Sequence, residues 1–203
     1  MMSAEKRALR EALRERRKQL DPAVIEAAGR AVWEQLRRFD PYETAPALIA
    51  YLASENEIPA AWAICDSARA QRTVYLPNSA HNGFVRWSPG EPLRLGRGGI
   101  WEPLSDVRLA AGTSAVALIP VVGWDEQGTR LGRGGGFYDR VFAQGPAAIV
   151  RVGLAYEFQR RPHLPRDPWD VPLQYVITEQ RLVRCAAAAP GDPARLRKGG
   201  LRL

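Results

Sequence analysis

Residues 114–142, SAVALIPVVGWDEQGTRLGRGGGFYDRVF, restrict the fold more than any other stretch of the chain. They open with the most apolar run in the sequence, SAVALIPVV, which reads as a central strand covered on both faces. A loop, a run of glycines and a short helix from about Phe137 follow. Strand, glycine-rich turn and helix in that order form the repeating unit of α/β domains.

The remaining segments fit the same plan. Ser3 can cap a first helix carrying Leu9, Leu13 and Leu20 beside Lys6, Arg10, Arg14 and Arg17. Asp21-Pro22 supplies an N-cap and an N1 proline for a second helix with Ile25, Ala28, Val32 and Leu36 on one face. ALIAYLA (47–53) and TVYLP read as strands flanking a helix from IPAAWAICDSARA. Between 78 and 112 only FVRW is strand-like. AAIVRVGLAY, YVITE and RLVRC supply further strands. The expected architecture is α/β: a three-layer α/β/α domain over residues 1–187 with a largely parallel sheet, then a flexible basic tail at 188–203.

Charge bears on the partners. The net charge is +7, but residues 1–20 and 184–203 each carry +4, leaving −1 on the other 163. A duplex-binding domain spreads its basic stripe over a folded face, so this distribution favours a local anion site over nucleic acid. No apolar run could span a bilayer, and the charged opening lacks a signal-peptide core. No membrane association, a cytoplasmic location and a monomer are expected. Cys65 and Cys185 have no metal-ligand spacing, which argues against a structural zinc site or a disulfide framework.

The hexapeptide RLGRGG occurs at 94–99 and again at 130–135. The first copy is bracketed by prolines and reads as a surface turn. The second leads into a helix, where loop amides can converge on an anion and Arg130 and Arg133 can add fork-shaped donors. It is neither a P-loop, since no GKS or GKT follows, nor a dinucleotide fingerprint. On residue chemistry alone, phosphate loop and flexible turn both remain open. Asp139, on the first helical turn, would suit magnesium beside a phosphate, or would simply complement the helix dipole. Asp167 and Asp170 are candidate second ligands or turn residues.

GWDEQGTRLGRGGGFYDR resembles the signature of the 5-formyltetrahydrofolate cyclo-ligase family, also called methenyltetrahydrofolate synthetases. EKRALREALRERR, YLASENEIP, GLAYEFQ and DVPLQYVITE resemble the family's other segments in the right order. The resemblance implies an ATP- and magnesium-dependent closure of 5-formyltetrahydrofolate to 5,10-methenyltetrahydrofolate. ADP and phosphate are released through a phosphorylated formyl (iminophosphate) intermediate. It assigns ATP phosphates to Lys6, Arg10 and the loop Arg130, Leu131, Gly132, Arg133, Gly134, Gly135, Gly136, Phe137 and Tyr138. Arg133 and Asp139 take the catalytic roles, Asp139 and Asp170 the metal. Leu52, Glu57, Trp124, Tyr156 and Gln159 fall where the family lines its folate pocket, although Trp124 and Tyr156 also suit a core. Gly135 stands where some members have lysine, and Gln174 where an aspartate is common. Two other readings are an ATP-independent sugar-phosphate isomerase or transferase of related fold, and a basic nucleic-acid-binding module.

If position makes the loop, the same change in the two copies has unequal effects. Gly134→Val and Arg133→Ala are expected to slow ATP-dependent cyclisation at least about tenfold, a loss of about 1.4 kcal/mol of transition-state stabilisation. Gly98→Val and Arg97→Ala stay close to wild type. Steady-state kinetics with thermal unfolding as a folding control make the comparison, and equal losses in both copies would contradict it.

Overall fold

The computed structural model describes residues 4–96, 100–143 and 148–186. The expected Ser3 cap, the end of the first hexapeptide at 97–99 and the tail at 188–203 lie outside them. Along the chain come α1 (Ala4–Lys18), α2 (Pro22–Leu36), α3 (Asp40–Thr44), β1 (Ala47–Ile49), α4 (Ala61–Arg69), β2 (Thr73–Asn78) and β3 (Gly83–Trp87). Then follow β4 (Leu93–Leu95), β5 (Trp101–Pro103), β6 (Ala115–Pro120), β7 (Gly123–Trp124), β8 (Arg130–Leu131) and α5 (Phe137–Ala143). Last are β9 (Ile149–Leu154), a 3-10 turn at Glu157–Gln159, β10 (Tyr175–Ile177) and β11 (Leu182–Arg184).

Seven strands form one sheet in the order β11-β10-β9-β6-β1-β2-β3. The five inner strands run parallel, and β3 and β11 close the edges antiparallel. The apolar run SAVALIPVV indeed supplies the central strand, with β6 paired to β9 along its whole length. Strand alternation divides its side chains between two cores. Val116 and Leu118 join Leu48, Val152 and Leu154 on the face covered by α2 and α4, through Val32, Leu36, Ala63 and Ile64. Ala115, Ala117 and Ile119 join Ala47, Ile49 and Ile149 on the face reached by Phe142 of α5. This is the expected three-layer α/β/α arrangement.

Local chemistry sets the helix ends. The Asp21 carboxylate accepts the Ala23 amide at 2.7 Å and Pro22 opens α2, satisfying an end that would otherwise leave amides unpaired. α5 is held by an aromatic cluster: Phe84 of β3 meets Phe137 edge-on at 5.8 Å, and Tyr138 stacks on Phe142 at 5.9 Å.

Two expectations require correction. ALIAYLA is a strand only over Ala47–Ile49; beyond it the chain turns into the loop that carries Glu57. The stretch 78–112 contains more than FVRW, because β4 and β5 form an antiparallel hairpin pairing Leu95 with Trp101. The first hexapeptide therefore begins on the exposed strand β4, with Arg94 and Leu95, rather than lying wholly in a turn. Strands of three residues between glycines and prolines carry too little periodicity to be read.

The chain moves from β1 to β2 through α4, and in the opposite direction across the sheet from β6 to β9 through α5. The order reverses between β1 and β6, which are neighbours. In open α/β sheets the crevice outside the carboxyl ends at such a switch is where ligands bind. Leu118 is fully buried on β6 and Leu104 is half exposed. Leu118→Ala is expected to cost about 2–5 kcal/mol in urea unfolding. Leu104→Ala should cost under about 0.5 kcal/mol.

Candidate active site

The carboxyl ends of β1 and β6 open into turn 54–57 and the segment 121–136, and α1 lies across both. Its inward face combines Leu13, which packs on Val122, Leu131 and Leu164, with the buried cations Lys6 and Arg17 and the partly buried Arg10. These positions recur at helical spacing, so one stripe of α1 carries both packing and charge. Lys6 is buried on this face rather than held out in solvent.

Each cation has a specific destination. Lys6 Nζ donates to Oδ2 of Asp167 at 2.7 Å and of Asp170 at 2.8 Å. Burial opposes the Lys6 charge, but the two carboxylates outweigh it and raise its pKa above the ordinary value. Burial likewise works against the Asp170 charge, and Lys6 with the Asp167 amide reverses this, leaving its carboxyl below the usual range. Arg10 Nε donates to the Gly132 carbonyl at 2.8 Å, fastening α1 to the start of the glycine loop.

The loop starts on β8 and turns through Gly134 and Gly136 at φ +97° and +63°, the left-handed region that glycine enters without strain. An ideal Cβ on Gly132 or Gly135 would meet nothing within 4 Å, so the loop backbone is accessible. Arg130 is buried, and its donors go to Asp139 Oδ1 at 2.6 Å and to the Val171 carbonyl. The Val171 amide donates back to the same Asp139 oxygen at 3.0 Å. Arg130 is thus committed to fixing Asp139, not to the loop's open side as expected. The arrangement brings Asp139 next to the segment carrying Asp170. Phe137 and Tyr138 belong to the aromatic anchor of α5, and burial pushes the Tyr138 hydroxyl pKa upward.

Arg133 points toward β1. Its Nε donates to Glu57 Oε1 at 3.2 Å and its Nη2 to the Ser54 hydroxyl. Glu57 is buried and also accepts the Ser54 amide at 3.1 Å through Oε2. Half-buried Leu52 lies just before this turn. Trp124 is fully buried, with Nε1 donating to the Tyr156 carbonyl at 3.4 Å. Gln159 is equally buried, its amide donating to the Val121 and Val122 carbonyls at 2.9 and 2.7 Å. Tyr156 donates its hydroxyl to the Asn56 carbonyl at 3.0 Å. These three stand behind the crevice and brace its backbone; Glu57 and Arg133 meet across it, while Leu52 packs against the core on the α2 and α4 face. Gln174 holds β9 through the Arg151 amide at 2.9 Å.

Sequence reasoning did not single out Ser54 or Asp125. Fully buried Asp125 accepts the Gln127, Thr129 and Leu164 amides and so shapes the hairpin leading into the loop. The signal was the Asp-x-x-Gly pattern of 125–128, where Gly128 takes φ +88°.

Comparisons with known proteins agree with this fold. Residues 2–179 match the profile of the 5-formyltetrahydrofolate cyclo-ligase family. The chain belongs to the 5-formyltetrahydrofolate cyclo-ligase family. The enzyme of that name from Escherichia coli is 32% identical over 178 residues, 84% of this chain and 98% of the relative. That from Haemophilus influenzae is 35% identical over 131 residues, 61% of this chain and 70% of the relative. The NMR structure of Aquifex aeolicus 5,10-methenyltetrahydrofolate synthetase superposes with a TM-score of 0.76 at 26% identity, covering 98% of this chain and 96% of that one. A Mycoplasma pneumoniae 5,10-methenyltetrahydrofolate synthetase shares the fold, with a TM-score of 0.67 at 21% identity over 86% of this chain and 98% of its own. Among the described residues, no helix of this cyclo-ligase family member is long and apolar enough to cross a membrane.

The Lys6–Asp170 pair makes a pH prediction with a definite sign. The Asp170 pKa is lowered on folding, so its contribution is present above about 3.8 and lost as pH falls through the folded value. The Lys6 pKa is raised, so its contribution is complete below about 10.5 and lost as pH rises through the folded value. The stability difference between wild type and Asp170→Asn should therefore be flat near neutrality and shrink at both extremes. Urea unfolding across pH measures it; a difference independent of pH would show that Lys6 and Asp170 are not coupled.

Proposed function

We propose that the protein closes 5-formyltetrahydrofolate to 5,10-methenyltetrahydrofolate using ATP and magnesium, with ADP and phosphate as the other products. The observation that carries this reading is the convergence, at one switch point of the sheet, of the α1 cations, an accessible glycine loop and two neighbouring carboxylates.

The phosphates of ATP would lie against the backbone of 132–136, with Lys6 and Arg10 brought by α1 and Arg133 brought by the loop. Phosphoryl transfer is served mainly by positioning and neutralisation of charge, and this set supplies both. Among the described residues no cluster of three or more His, Cys, Asp or Glu side chains could cage a metal. Magnesium fits nonetheless, because it commonly uses one or two carboxylates together with substrate phosphates. Asp139 and Asp170 would hold it, and the ion would add positive charge where phosphate oxygens gather. Lys6 and Arg130 are then the groups that keep those carboxylates in place before nucleotide arrives.

On the other side of the crevice Glu57 and Leu52 would contact the folate, with Trp124, Tyr156 and Gln159 supporting the backbone beneath. Arg133 touches Glu57 and also belongs to the phosphate loop, so it stands where the formyl oxygen must meet the γ-phosphate. Attack by that oxygen on the γ-phosphorus would expel ADP and give the iminophosphate; the second folate nitrogen would then attack the formyl carbon, losing its proton as phosphate leaves. No Ser-His-Asp or Cys-His set is required. A cytoplasmic location and a monomeric state complete the proposal, with the small-molecule folate as its partner and no nucleic acid.

Mixing the protein with magnesium-ATP and 5-formyltetrahydrofolate should produce methenyl absorbance only when ATP is present. Asp139→Asn is expected to fold normally yet lose at least about a hundredfold in kcat, about 2.7 kcal/mol. Turnover without ATP would favour the isomerase or transferase reading. Wild-type rates in purified Asp139→Asn would remove its metal role.

A further inference from the structure

We propose that Arg17 is a positioning residue: it ties turn 54–57 to the end of β6 and so sets where Glu57, and through it Arg133, stand in the crevice. The assignment of Glu57 to the folate side rests on the function proposed above; the tie itself does not.

The guanidinium of Arg17 is 1% exposed. A group of that charge is kept from water only where its donors are used. Its Nε donates to the Glu55 carbonyl at 2.8 Å and its Nη1 to the Val121 carbonyl at 3.4 Å. Those two carbonyls follow β1 and β6, the strands on either side of the switch point. Nη2 lies 3.5 Å from Glu55 Oε2 and 3.8 Å from Glu57 Oε1, so the same group carries charge to both acidic side chains of the turn.

The turn needs such a tie. Glu55 and Asn56 take φ +50° and +57°, consecutive left-handed residues with no glycine. Side chains tolerate that region poorly, and it persists where surroundings over-determine it. Here five hydrogen bonds besides those of the Arg17 side chain do so. Arg14 forms a two-pronged pair with the Glu55 carboxylate at 3.0 and 2.6 Å. The Asn56 amide donates to the carbonyls of Arg17 and Lys18, both at 3.2 Å. Tyr156 donates to the Asn56 carbonyl. Of these side chains, Arg17 alone donates to carbonyls in both the segment after β1 and the segment after β6. An apolar side chain at position 17 could fill the same space, but it could not connect two carbonyls and a carboxylate pair.

The test compares Arg17→Met, which keeps length and loses charge and donors, with Arg17→Lys, which keeps charge and loses the fork. In the unliganded protein, the amides of 54–57 should exchange with deuterium about tenfold faster in Arg17→Met, while those of β6 and β9 are unchanged. In turnover, KM for 5-formyltetrahydrofolate should rise about tenfold or more, with KM for ATP moving less than about twofold and Arg17→Lys falling between. A folded Arg17→Met with unaltered exchange at 54–57, or with equal rises in both constants, overturns the proposal. If Arg17→Met does not fold, the same two readouts on Arg17→Lys decide. Failure of the proposed function shows separately, as wild-type protein that makes no methenyl product, and the exchange comparison still decides the tie.

Discussion

Burying a cation costs several kcal/mol unless charge and hydrogen bonds are returned to it inside the protein, and α1 buries two. That constraint organises the carboxyl end of the sheet. Lys6 is tolerable only with Asp167 and Asp170 beside it, and Arg17 only with the carbonyls of Glu55 and Val121 in reach. Leu13 supplies the hydrophobic contact that seats the helix, but the cations decide its rotation and register. Segments distant in sequence, at 54–57, 121–136 and 167–171, are thereby drawn to a single helix.

The same pairs suit the exchange of partners that the proposed function requires. An ammonium held by two carboxylates can release them to a divalent ion and turn to phosphate without any charge being left uncompensated. Asp139 is similarly held by Arg130 and the Val171 amide. Arg133 differs in that its partners, Glu57 and Ser54, belong to the opposite wall. In the proposed function, a movement of Arg133 toward nucleotide would release the Glu57 oxygen it occupies. The geometry therefore links the two halves of the crevice through one guanidinium.

What the sequence disclosed depended on how local the cause was. The central strand, the Asp21-Pro22 helix start and the α5 helix after the glycines are written in short-range pattern, and the structure has them where the pattern placed them. The β4–β5 hairpin was hidden because its strands hold three residues each and its partners, such as Asn78 and Ser79 bonded to Pro103 and Glu102, lie more than twenty positions away. The site divided similarly. Residues on the loop and α1 could be named from their motif, but the commitment of Arg130 to Asp139 could not, since the Val171 carbonyl that completes it lies 41 positions away. Trp124, Tyr156 and Gln159 could be placed near the crevice. Only tertiary structure reveals that they face its backbone from behind. Arg17 carried no distinguishing pattern within a run of basic residues, and its burial is set wholly by what it meets.

The two hexapeptides make the same point at the level of single atoms. In the first, an ideal Cβ on Gly96 would sit 2.2 Å from the Glu102 carboxyl carbon, so glycine there makes room for one of the protein's own carboxylates. Arg94 of that copy has Glu102 at 4.0 Å. An approaching phosphate would meet like charge at that position. In the second copy, Gly132 and Gly135 leave open space. The Gly132 carbonyl brings in Arg10, while Arg133 stands beside the loop. The space beside Gly96 is taken by Glu102 of β5, whereas the space beside Gly132 is open. The proposed difference in anion affinity thus rests on the place in the fold rather than on the six residues themselves.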